Sequence, residues 1–103
     1  MAEWTFLTNH GHVMVMLARD PEARIRDLAQ GIGITERAAQ RIVGDLVDAG
    51  YLTREKVGRR NRYGIDPSVP LRHPLERTHG IGDLLAAVAE RPGAGEGRAT
   101  SGD

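Results

Sequence analysis

The chain has 103 residues, no cysteine, and equal numbers of basic and acidic side chains, fourteen of each. That length supports one modest core, and the lack of cysteine excludes a disulfide scaffold and any thiolate metal site, as in a reducing cytosol. No apolar run approaches the ~20 residues that span a bilayer, and the N-terminus lacks the basic-then-apolar layout of a signal peptide, so a cytoplasmic protein is expected.

Trp4, Phe6, Tyr51 and Tyr63 are the only aromatic residues of the FWY type, so aliphatic side chains and alanine must fill the interior, which favours helices over a β-sandwich. The neutral total is unevenly spread. Residues 1–23 hold one arginine against three acids, residues 24–63 hold nine cations against five acids, and residues 64–103 hold four against six. A basic middle between acidic ends is the local footprint of a polyanion partner.

In chain order, WTFL (4–7) is an apolar lead-in and Thr8 is placed to cap a helix over residues 9–20. Val13 to Ala18 are apolar on nearly every side, so this helix is expected to be covered on more than one face, by its own chain or by a second copy. Asp20-Pro21 stops it. Arg24, Ile25 and Arg26 read as a very short strand before a two-turn helix over 26–33, which Gly31 and Gly33 end. Ile34 plugs the core and Thr35 caps a new helix over 36–49, with Glu36 in its first turn. Ala39, Ile42, Val43, Leu46 and Val47 form one buried stripe at i, i+3, i+4, i+7, i+8, with Arg37, Gln40, Arg41 and Asp45 on the other side.

Gly50 is the expected residue past the helix end. YLTREKV (51–57) alternates as a strand, with Leu52 and Val57 inward. GRRN (58–61) is a hairpin loop, and RYGI (62–65) is the returning strand. DPSVPLRHP (66–74) is extended connector. From Thr78 or His79, Ile81, Leu84, Leu85, Val88 and Ala89 repeat the helical stripe. The tail from residue 92 is glycine-rich and nearly devoid of apolar residues, so 1–91 is expected to fold as the domain and 92–103 to be disordered. There is no internal repeat.

A mainly α fold with a small β-hairpin wing and a C-terminal helix follows, in the order helix–turn–helix–wing. Arg37, Gln40 and Arg41 project together from the N-terminal half of helix 36–49, a disposition suited to a major groove. Arginine holds guanine O6 and N7 with two hydrogen bonds, glutamine does the same to adenine, and Ala38 is small enough to allow close approach or to touch a thymine methyl. Lys56, Arg59, Arg60 and Arg62 put four cations in seven residues without an acid, a density that phosphates or the minor groove would explain. The bland alternative is a solvated helix face. The conjunction of capped helix, glycine turn and basic hairpin favours double-stranded DNA.

On these same residues, DLAQGIGITERAAQRIVGDLVDAGYLTRE followed by GRRNRYGI resembles the winged helix–turn–helix of MarR-type and ArsR-type transcriptional regulators, over residues 20–65 or so. LVDAGYL (46–52) is similar to the step by which their recognition helix enters the wing. The resemblance implies DNA contacts by Thr35, Glu36, Arg37, Gln40 and Arg41, and a wing carried by Arg59, Arg60 and Arg62. MarR proteins are usually longer at both ends, and the cysteine pair of metal-sensing ArsR members is missing. Arg24, Arg26, Thr53, Arg54 and Lys56 are expected to meet phosphates, with Asn61 beside the wing arginines. Regulators of this kind pair on half-sites about one turn (~34 Å) apart, so a homodimer is expected, through helices 9–19 and 79–90 with Trp4 and Leu7 nearby.

Other signals carry less. His10, His12, His73 and His79 have no supporting acid or cysteine at ligand spacing. The Gly-Ile-Gly steps at 31–33 and 80–82 follow no strand of a βαβ unit. No nucleophile–base–orienter set emerges, so neither an enzyme nor a cofactor is expected. No polar cluster identifies a small-molecule effector. Two rival readings are a winged-helix adaptor that never binds DNA and a ligand sensor with its pocket between the terminal helices.

Overall fold

A computed structural model of the chain describes residues 3–89. The elements are α1 (Asn9–Arg19), α2 (Ile25–Ile32), α3 (Glu36–Asp48), β1 (Leu52–Val57), β2 (Arg60–Ile65) and α4 (Ile81–Val88). Among the described residues, four helices and one antiparallel hairpin make a winged helix, as the order of elements predicted. The expected tail, 92–103, lies outside the described residues.

Thr8 caps α1 by accepting the Gly11 amide at 3.3 Å. Val13, Met14 and Leu17 are buried, and α1 touches α2, α3 and α4. The helix that is greasy on all sides is thus largely covered within its own chain.

The short strand expected at 24–26 does not form. Only Arg24 is extended (φ −85°, ψ 161°), and α2 begins at Ile25. The Asp27 carboxylate accepts the Arg24 amide at 3.0 Å, which ties off the helix start. Ile25, Leu28, Ala29 and Ile32 then face the core at i, i+3, i+4, i+7, so including Ile25 completes the stripe. A single backbone hydrogen bond ties this region to the hairpin instead: the Pro21 carbonyl accepts the Tyr63 amide at 2.9 Å.

The helix also runs through Gly31 and stops at Gly33, left-handed at φ 85°. Gly31 marks the close approach of α2 to α1, since a Cβ there would lie 2.6 Å from the Met16 terminal carbon. Thr35 accepts the Ala38 amide at 3.0 Å at the start of α3. At its other end the Gly50 amide reaches Val47 O and the Tyr51 amide reaches Leu46 O, both at 3.0 Å. These paired bonds need the left-handed conformation that Gly50 adopts at φ 88°.

In the hairpin, Leu52 pairs with Ile65 and Val57 with Arg60. The loop is therefore two residues, Gly58 and Arg59, rather than the four expected. Gly58 has φ 65° and, among the described residues, no non-glycine residue has positive φ, the pattern of a type II′ turn. Leu52 is 2% exposed but Val57 is 47% exposed. The inward assignment of Val57 fails because an interval of five places the two residues on opposite faces of a period-two strand.

The connector is not simply extended. Pro70 bridges to Gly80, Leu71 N donates to His79 O at 3.0 Å and Ile81 N to Val69 O at 2.8 Å. These bonds occupy the backbone around 79–81, so α4 starts at Ile81 rather than at Thr78 or His79. A Cβ on Gly80 would sit 2.6 Å from Pro67 O, so the bridge requires glycine there. Asp66 accepts both the Ser68 hydroxyl and amide, which holds its carboxyl below the usual carboxylate range. That contribution is present at neutral pH and is lost as acid protonates the group. Arg19 closes the C-terminal end of α4, with Nη2 donating to Val88 O at 3.2 Å.

Candidate nucleic-acid interface

Thr35, Arg37, Ala38, Gln40 and Arg41 line one shallow, open concavity at the N-terminal half of α3. Arg37, Gln40 and Arg41 are exposed, while Ala39, Ile42, Val43 and Leu46 turn inward. Among the described residues, no hydrogen bond or ion pair holds the side chains of Arg37, Gln40 or Arg41. Glu36 is exposed in the first turn, beside the positive end of the helix dipole. The Thr35 hydroxyl fixes where that end begins. Thr35→Ala is expected to cost ~1 kcal/mol of stability and to fray the first turn, which chemical denaturation and amide exchange at residues 36–38 would register.

The hairpin divides its cations between two faces. Arg54, Lys56 and Asn61 share the face of Leu52, Tyr63 and Ile65, which turns toward the helices. Thr53, Glu55, Val57, Arg60 and Arg62 share the other, where Arg62 stands directly across from Glu55. Arg59 occupies the turn. The run that looks continuous in sequence is thus not one patch of side chains. Arg60 in particular is engaged: its Nη2 donates to the Glu22 carbonyl at 2.9 Å. Arg24 and Arg26 are exposed at the N-terminal end of α2.

Two side-chain contacts were not foreseen from the sequence. His10 Nε2 and Asp45 Oδ2 meet at 2.9 Å and link α1 to α3 across 35 positions. His79 pairs with Asp83 at 2.9 Å. A groove of about 940 Å³ runs between the N-terminal segment, the C-terminal half of α3 and residues 71–84, with Leu7, Met14, Leu46, Ile81 and Leu84 among its walls. The rival reading of a pocket between the terminal helices points to this region, but the linear order could not give its walls, which come from three separated segments.

The family model of the MarR family matches residues 6–62, more than half of the chain. The chain belongs to the MarR family. The match extends the likeness seen in the sequence back across α1 and ends at Arg62, so it takes in both helices of the helix–turn–helix, β1 and half of β2. Membership in this family of regulators makes the MarR-type chain a transcriptional regulator in broad terms. A comparison with curated proteins found no match. No described helix is long and apolar enough to cross a membrane.

Proposed function

We propose that this MarR-family chain is a sequence-specific binder of double-stranded DNA that represses transcription in the bacterial cytoplasm as a homodimer. In this reading α3 enters the major groove, where Arg37, Gln40 and Arg41 read base edges. The wing tip, with Arg59, Asn61 and Arg62, follows the adjoining backbone or minor groove. Arg24, Arg26, Thr53, Arg54 and Lys56 meet phosphates.

The observation that carries the reading is the exposed, unbonded Arg37–Gln40–Arg41 edge around one concavity. Arginine side chains held by no internal partner keep their full hydrogen-bonding capacity for a ligand. Arg24 and Arg26 add to this, because cations at a helix N-terminus oppose the dipole and gain nothing from the fold itself. Dimer formation is supported by apolar surface left uncovered: Trp4 is 69% exposed, Phe6 93% and Val88 39%.

A gel-shift assay against the duplex upstream of the protein's own gene, at two salt concentrations, tests the proposal. Binding should weaken steeply with salt, as counterion release demands. An adaptor that uses the same fold without reading DNA would shift no duplex at either concentration.

A further inference from the structure

Arg59 and Arg60 are adjacent and chemically identical, yet their surroundings differ. Arg59 lies in the turn. Arg60 closes the last pair before it and turns its guanidinium back onto the Glu22 carbonyl, 2.9 Å away. A second bond joins the same two segments, from the Tyr63 amide to Pro21 O at 2.9 Å. We propose that Arg60 is a positioning residue, a latch that holds the wing against the turn leading into the helix–turn–helix.

The receiving side is built to hold still. Asp20 accepts the Glu22 amide with its side chain and the Ala23 amide with its carbonyl, both at 3.1 Å. Ala23 is buried, and the next residue, Arg24, is tied by its amide to Asp27 in α2. The Glu22 carbonyl therefore belongs to a fixed turn continuous with the first helix of the motif.

The side being held needs such an anchor. A two-stranded hairpin is marginally stable alone, and outward from Leu52 and Tyr63 the hairpin is mostly exposed. The Tyr63 bond secures its root, and Arg60, three residues further out, secures the end beside the turn. The latch fixes the angle of the wing relative to α2, and through α2 relative to α3, which packs on it. This role rests on the DNA-binding reading for its purpose but not for its existence.

Two arms separate the latch from the DNA-binding reading, using the full chain with Arg60→Ala and Arg59→Ala. Without DNA, amide exchange at Tyr63 should be about fivefold faster in Arg60→Ala, the scale of one net hydrogen bond in water, and unchanged in Arg59→Ala. With a duplex, Arg60→Ala should weaken binding by a similar factor at every salt concentration, whereas Arg59→Ala should lower the slope of log K against log salt by about 0.9. Unaltered exchange in Arg60→Ala overturns the latch, whatever the DNA result. A slope reduced equally in both variants also overturns it and makes Arg60 a phosphate contact.

Discussion

Replacing Arg37 and Arg41 together by alanine should abolish selective DNA binding while leaving the fold intact. Each bidentate contact to a guanine contributes about 1–3 kcal/mol of discrimination. The pair therefore accounts for roughly 2–6 kcal/mol, or at least about thirtyfold in affinity for the preferred duplex. The residues are one helical turn apart, so their effects will couple and the double variant is the cleaner comparison. Both side chains are exposed and unbonded within the protein, so unfolding free energy should change by no more than about 0.5 kcal/mol. Fluorescence anisotropy with specific and scrambled duplexes, beside thermal unfolding of each variant, measures both halves. Equal loss on the two duplexes would make these arginines phosphate contacts rather than base readers.

Leu28→Ala should have the opposite profile. Leu28 is fully buried, at 0% exposure, on the inner face of α2. Removing its branched end takes away its transfer free energy and leaves a cavity, together about 2–5 kcal/mol. Domains of this size have a total stability of about 5–15 kcal/mol, so the loss is a large fraction of it, and the melting temperature should fall by more than about 10 °C. Leu75→Ala is the matched control. Leu75 is 88% exposed, and its truncation should change stability by no more than about 0.5 kcal/mol. Urea titration of the three proteins decides the matter. A small effect at Leu28 would mean that α2 is not packed as described.

The contrast between these variants also shows which parts of the molecule the sequence could disclose. Helix α3 was legible almost to the residue because its information is local: a threonine cap, a five-membered stripe and a glycine past the end each act within one or two turns. The same locality made the wing's existence legible. Its register was not, because Gly-Arg-Arg-Asn admits several loops and only the pairing of Val57 with Arg60 selects the two-residue turn.

The misread start of α2 has a related cause. Arg24 is extended, as a strand would be, but the bond from its amide to Asp27 turns the chain into helix at the next residue. Where backbone groups find partners far along the chain, local pattern had nothing to offer. Pro70 with Gly80, Tyr63 with Pro21 and Arg60 with Glu22 are of this kind, as is the His10–Asp45 contact. For the candidate site, the exposure of Arg37, Gln40 and Arg41 followed from helical periodicity alone. The division of the wing's cations between two faces required the strand register.

In the proposed complex α3 and the wing meet DNA together, and a titration of the ¹⁵N-labelled protein with a short duplex at low salt tests this most directly. Even a non-specific duplex should bind under those conditions through its phosphates. Amide signals of residues 35–41 and of the wing around 58–62 should move together, with those of the groove residues Leu7, Met14 and Leu84 left in place. Shifts confined to the groove, or none at any duplex concentration, would contradict it.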